Sequence, residues 1–418
     1  MKLAPARHFP AAEVCPEASQ PIGRSYRVLT IAPTSFFGDY GCHVRILEET
    51  LALQRRGSQV TICTYSGGRD LPGIDIRRTI PVPGRSGIRI GSSRAKPILD
   101  AMLFLRALRV ALRHRPDIIH GHLHEGALIG LLLSRLLRVP LVFDFQGSLT
   151  SEMMDHNFLS RESRIYGPLR WLEGQLDRRA DLVLTSTHRG STILTEKFGV
   201  EPKRVRALPD AVNTDVFAPR WETDDPAKIA LRRKLGIPLG RQLVVYLGLL
   251  AEYQGATHLL EAAGEILRVR PATHFLLMGY PGQERYLVQA QRRGIAGHIT
   301  FTGRLPYELA PSHLALGDLA VSPKISLTEG NGKLLNYMAV GLPTVAFDTP
   351  VNREILGDSG AFARLGDSGD LARVMIELLA NQTAADQRGR LLRLRAEECF
   401  SWGRAAQDIL NIYEELCR

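Results

Sequence analysis

The stretch Ser322 to Glu354, SPKISLTEGNGKLLNYMAVGLPTVAFDTPVNRE, constrains the fold more tightly than any other part of the chain. It opens as the apolar run Asp318 to Ser322 ends, a run with the length and composition of a buried strand. A Gly-rich turn, Glu329-Gly-Asn-Gly332, leads into Lys333 to Val340, where Leu334, Leu335 and Met338 fall on one helical face. Gly341 and Pro343 stop that helix, and Thr344 to Phe347 reads as the next buried strand. Strand, glycine turn, helix, strand is the unit of a parallel sheet. The backbone N–H groups of such a turn and of the helix start converge on one spot, which suits phosphate. Short glycine patterns also occur where they merely turn the chain, so the pattern alone leaves an ordinary βαβ unit open.

At 418 residues the chain exceeds one compact core and is expected to form two domains of roughly 200 residues each. Apolar residues make up 44% and charged residues 23%, which excludes wholesale disorder. A net charge of +10 favours an anionic partner. Nucleic acid, anionic lipid and an anionic sugar donor all satisfy that sum, but no helix-turn-helix or RNA-binding signature is present. Cys15, Cys42, Cys63, Cys399 and Cys417 are scattered without metal spacing, so a reduced, cytoplasmic setting is expected and no metal site. Residues 1–24 read as a poorly ordered tail. Apolar runs such as Ala127 to Leu133 stop well short of a membrane span.

In the first half, Tyr26 to Ala32 reads as a buried strand followed by a loop with Gly38 and Gly41. A helix is expected over His43 to Arg55, then a second strand over Gln59 to Tyr65. This is a mononucleotide-binding half without the G-x-G-x-x-G of a dinucleotide fold. The segment Arg85 to Arg115 is strongly basic, carrying Arg85, Arg89, Arg94, Lys96, Arg106, Arg109, Arg113 and Arg115 against Asp100. Its apolar residues Leu99, Met102, Leu103, Leu105 and Leu108 suit a helix either packed on a sheet or lying on anionic headgroups. Ile118 and Ile119 end a strand, and alternation predicts His120, His122 and His124 on one side of the chain at its carboxyl end. Strand carboxyl ends bind ligands in open α/β sheets, so these histidines are read as hydrogen-bonding groups and not as metal ligands.

The second half starts a new αβ series at Gln242 to Gly248, with strands over Thr273 to Met278 and Ile299 to Thr302. Helices are expected over Asp370 to Leu379, Ala384 to Cys399 and beyond Ser401. The combination Glu329, Gly330, Gly332, Lys333-Leu334, Tyr337-Met338-Ala339, Gly341 and Pro343 resembles the nucleotide-sugar site of family 4 retaining glycosyltransferases. The resemblance runs from about residue 26 to the C-terminus. It implies a GT-B fold: two Rossmann-like, doubly wound α/β domains facing a cleft. Residues 25–218 would form an acceptor domain and 219–400 a nucleotide-sugar domain. The last helix, 401–418, would cross back to the first.

The same resemblance implies transfer of a sugar from a nucleoside diphosphate sugar, with retention at the anomeric carbon, and no cofactor beyond that donor. The acceptor would be a glycan, a lipid-linked molecule or another carbohydrate, with an anionic membrane surface as a further partner on the inner, cytoplasmic side. Donor contacts are expected from Gly38, Gly41, Gly248, Gln254, Lys324, Gly330, Asn331, Gly332, Lys333, Leu334 and Asn336, and catalytic roles from His122, Asp144, Gln146 and Glu329. Where the family carries G-R-x4-K-G, Leu249 and Gln254 replace the Arg and Lys in Gly248 to Gly255. Thr328 and Asn336 stand where the family carries two glutamates, and Gln146 where it carries a histidine. Lys324 and Lys333 are the cations expected to compensate at the diphosphate. The alternative is a GT-B protein that keeps the fold for binding and has lost catalysis.

Overall fold

The computed structural model describes residues 24–38, 41–81, 96–155, 158–327 and 330–418. The expected N-terminal tail, Arg85, Arg89, Arg94 and Glu329 lie outside the described residues. Two wholly parallel sheets make up the frame. The first holds β1 (Arg27–Ala32), β2 (Gln59–Thr64), β3 (Asp75–Arg78), β4 (Ile118–His122), β5 (Leu141–Phe145), β6 (Leu182–Thr185) and β7 (Val205–Ala207), in the order β3-β2-β1-β4-β5-β6-β7. The second holds β8 (Gln242–Leu247), β9 (Thr273–Met278), β10 (Ile299–Phe301), β11 (Leu319–Ser322), β12 (Thr344–Phe347) and β13 (Ala361–Ala363), in the order β10-β9-β8-β11-β12-β13.

Central strands such as β4, β5, β9, β11 and β12 are buried along their whole length, because helices cover both faces of a parallel sheet. Their sequences are therefore mostly apolar, which made them legible, although β4, β5 and β9 also bury His120, His122, Asp144, Thr273 and His274. The edge strand β3 is half-exposed throughout and carries Asp75, Arg77 and Arg78. Charge on an edge blocks further strand pairing, and it also hides the strand from an apolar-run reading.

Each sheet reverses strand order once, between β1 and β4 in the first and between β8 and β11 in the second. Crevices open at the carboxyl ends of strands at such points. The two crevices face each other across one cleft.

The last helix, Trp402–Leu416, packs on the helix Gly41–Arg55 of the first domain. Ile409, Ile412 and Tyr413 are buried there, in the same core as Val28, Ile62 and Leu184. The domains also touch through Tyr307 Oη, which donates to Glu48 at 3.1 Å, and through the Arg69–Glu308 ion pair at 2.8 Å.

On the helix Lys96–His114, Leu103, Ala107, Val110 and Ala111 face the core. Leu105 belongs to the opposite face and is 64% exposed, in line with Ile98 at 66% and Leu112 at 59%. The helix thus has two apolar faces, where the sequence suggested one stripe.

Candidate active site in the interdomain cleft

The cleft has a volume of about 530 Å³. On the second-domain side it is lined by Gly248, Gln254, Lys324, Gly330, Asn331, Gly332, Lys333 and Asn336, and on the first-domain side by Gly41, Arg45, Gln146, Ser186 and Asp210.

β8 ends at Leu247, and Gly248 follows with φ +150, a conformation that L side chains rarely adopt. A Cβ at Gly248 would lie 2.8 Å from Lys333 Cε, so the bare glycine makes room for the lysine stem. Lys333 begins the helix Lys333–Ala339, contacts Gln254 Oε1, and places its Nζ 5.2 Å from the Tyr246 ring centre. Gln254 thus orients a cation from the neighbouring helix. Lys324, in the turn after β11, donates to the Gly330 carbonyl at 2.7 Å and ties that turn to the glycine loop.

Asn331 is buried, and its amide donates to Ser322 Oγ at 3.0 Å and Asn352 Oδ1 at 2.8 Å. Those bonds fix the loop. Leu334, expected among the donor contacts, has its side chain in the core of the second domain instead. The helical spacing that gave it an inward face excludes it from the cleft wall. Gly38 is buried, and its carbonyl accepts from Tyr280 Oη across the domain boundary.

The first-domain wall is organised by Arg45, which is 4% exposed. Its Nε and Nη2 donate to the two oxygens of Asp144 at 2.9 and 2.8 Å, and Nη1 reaches Asp210 Oδ1 at 2.7 Å. Burial would raise the Asp144 carboxyl, but the Arg45 guanidinium and the hydrogen bond from His122 hold it well below the usual carboxylate range. Since an ionised carboxylate only accepts, His122 donates through Nδ1 to Asp144 Oδ2 at 2.9 Å. Gln146 Nε2 donates to the same oxygen at 2.9 Å. His122 and Asp144 are 1% and 0% exposed and stand behind the wall, whereas Gln146 reaches it.

Behind His122 lies His120, its ring stacked at 4.8 Å and its Nδ1 3.1 Å from Glu49 Oε1. Burial pushes the Glu49 carboxyl up to about 7, and burial with the neighbouring His122 holds His120 well below its ordinary value. His124 does not join them. It sits in the first turn of the helix Leu123–Leu137, so strand alternation, which ends at His122, stops two residues short of it.

Arg45, Asp210 and Ser186 were not found by sequence reasoning. The available signal was Arg45 and Glu49, four residues apart on a helix whose neighbours are apolar. The two domains also approach each other at Gly330, where a Cβ would lie 2.9 Å from Asp210 Oδ2 and 3.1 Å from Ser186 Oγ.

Two parallel sheets with facing crevices across one cleft are the GT-B fold. Residues 40–211 match the glycosyl transferase 4-like domain and residues 241–381 the domain of glycosyl transferases group 1, and the chain belongs to that family. It is similar to a D-inositol 3-phosphate glycosyltransferase of Acidothermus cellulolyticus, 25% identical over 408 residues that cover 90% of this chain and 85% of that protein. Among solved structures it is similar to sucrose-phosphate synthase of Thermosynechococcus elongatus, with a TM-score of 0.77, 17% identity and coverage of 94% and 99%. HepE of Anabaena in complex with UDP and glucose gives 0.74, 17%, 93% and 99%.

Proposed function

We propose that this protein is a retaining glycosyltransferase that moves a hexosyl group from a nucleoside diphosphate sugar to a hydroxyl of a carbohydrate or lipid-linked acceptor. The observation that carries this reading is the pairing, across one cleft, of a cationic glycine cradle with a polar wall built on Asp144. The similarity to an inositol phosphate glycosyltransferase and to a neighbour in complex with UDP and glucose supports it.

Lys333 and Lys324 would stand at the diphosphate, with backbone N–H groups of Gly330 to Lys333 beside them, and stabilise the charge that develops as the glycosidic bond breaks. Asn336 would bond ribose hydroxyls. Gln146 commits its Nε2 to Asp144, which leaves its carbonyl oxygen to accept from a sugar hydroxyl, while His122 and Arg45 hold Asp144 in place. Closure of the two domains at Gly330 and Asp210 would exclude water from the donor.

Calorimetric titration with a panel of UDP-, ADP- and GDP-hexoses should yield one donor with saturable binding, and NMR of the transferred product should show the donor's anomeric configuration. An inverted product removes the retaining assignment, and absence of heat with every nucleotide sugar removes the enzymatic one.

An anionic membrane surface is the second partner we propose. Ile98, Leu105 and Leu112 form an exposed line on one helix, with exposed Arg109 and Arg113 on the same helix. Leu128, Leu132 and Leu136 do the same on the neighbouring helix, Leu123–Leu137. Burying a leucine contributes about 1.5–3 kcal/mol, so the double substitution Leu105→Ser/Leu112→Ser should weaken flotation with phosphatidylglycerol vesicles about 100-fold or more. Donor affinity should not change. Equal flotation of both proteins, or of the unsubstituted protein with neutral vesicles, would count against the surface.

A further inference from the structure

A second polar cluster lies in the first domain, outside the cleft wall. His124, in the first turn of its helix, meets Glu173 and Asp177 from the helix Tyr166–Arg179. Glu173 and Asp177 are 0% exposed and His124 is 4% exposed. Asp177 falls four residues after Glu173, so one helical turn presents both carboxylates on the same face. The edges of Phe143 and Phe145 pack on the His124 ring, at 5.2 and 5.5 Å between centroids, and fix its plane.

What marks the cluster is its unsatisfied atoms. His124 Nε2, Glu173 Oε1 and both oxygens of Asp177 are buried without a hydrogen-bond partner among the described residues. Buried polar atoms are nearly always paired, so a group of such atoms from three side chains points to a ligand. His124 Nε2 lies 3.3 Å from Asp177 Oδ1 and 3.8 Å from Glu173 Oε1, so the imidazole pairs electrostatically with both carboxylates. One donor atom from each of the three residues falls within 4.8 Å of the others.

The two separations from His124 are those of ligands around a cation, since atoms held about 2.1 Å from one metal stand about 3.0–3.8 Å apart. The remaining oxygen of Glu173, Oε2, accepts from Thr150 Oγ1 at 2.6 Å and from Arg170 Nη1 at 3.3 Å. Outer-shell bonds of this kind orient a ligating carboxylate and leave its other oxygen for the metal. With Arg170 as the fixed cation at Glu173 and His124 neutral, the two buried carboxylates still leave one net negative charge, which favours a cation.

We propose that His124, Glu173 and Asp177 form a binding site for a divalent transition-metal ion, zinc above all. One imidazole and two carboxylates suit zinc, which outcompetes manganese and iron at nitrogen and oxygen ligands. Its place is structural. Thr150 belongs to the short helix Leu149–Asp155, directly after the segment that carries Gln146 into the cleft. A metal here would clamp that segment to the helix Tyr166–Arg179.

Full-length protein purified from zinc-supplemented medium should carry about one zinc per chain by plasma mass spectrometry. Chelation should lower Tm, and added zinc chloride should restore it. The isosteric variant Asp177→Asn should lose zinc tenfold or more, with Glu173→Gln as a second variant should the first not fold. Overturning results are less than about one-tenth of a zinc per chain with a Tm indifferent to added zinc, or an unchanged zinc content in both folded variants. In the first case the cluster is an ion pair of protonated His124 with its carboxylates.

Discussion

Replacing Lys333 by alanine should lower kcat/KM for the nucleotide-sugar donor roughly 10- to 100-fold, because a charge-assisted hydrogen bond contributes about 1.5–3 kcal/mol. In the family pattern that the chain resembles, an Arg and a Lys share the diphosphate, and here Leu249 and Gln254 occupy both places. Lys333 reaches the same space from the adjacent helix, over the Tyr246 ring and beside Gln254. Its charge is therefore expected to carry more of the donor's binding than one cation of a pair would. The loss should appear in donor Kd by calorimetry as well as in turnover, with Lys333→Arg recovering part of it. Thermal stability should move little, since the lysine lies at the cleft wall and not in a core. A donor Kd unchanged in Lys333→Ala would move the phosphate site away from this helix.

Arg45→Met should destabilise the fold by about 3–5 kcal/mol, the range for removing one partner of a buried ion pair. Arg45 is matched by Asp144 and Asp210 together, and its loss leaves Asp144 ionised and fully buried. The pH dependence has a definite sign. With Arg45 present, the Asp144 carboxyl is depressed, so its stabilising contribution is present above the unfolded carboxylate range and is lost as pH falls through the depressed value. Without Arg45, burial dominates and raises that carboxyl, so the variant's stability falls as pH rises. Chemical denaturation at pH 5 and pH 8 should therefore show a larger gap between the two proteins at pH 8. An equal gap at both values would mean that Asp144 is not the group whose counter-charge was lost. Turnover should fall as well, because Gln146 is held through the same carboxylate.

How much of this was legible depends on whether the signal lay within one element. The glycine turn, Lys324 and Lys333 were readable because a strand, a turn and a helix start are contiguous, and their geometry follows from local backbone rules. The parallel sheets were readable because strands covered on both faces are mostly apolar. The pattern failed where exposure replaced burial, at β3, and where one helix face had to be told from another. Leu105 and Leu103 are equally apolar, and only the packed neighbours show that one is buried and the other is not. His124 was misplaced because the strand ended before it, a boundary that alternation cannot supply.

By itself the sequence determined the αβ rhythm and the glycine turn before Lys333, since each follows from local periodicity or contiguous turn chemistry, and the resemblance of that stretch to a known family implied the GT-B class. Tertiary structure alone decided that Arg45 joins Asp144 to Asp210, across 99 and 165 residues of chain. It also decided that His122 stands behind the wall while Gln146 faces the cleft, and that His124 meets Glu173 and Asp177. Those partners come from separate elements, and charge pairing over such distances leaves no periodic trace. It exists only once the sheets have stacked their strands in order and excluded the water that would otherwise solvate each group alone.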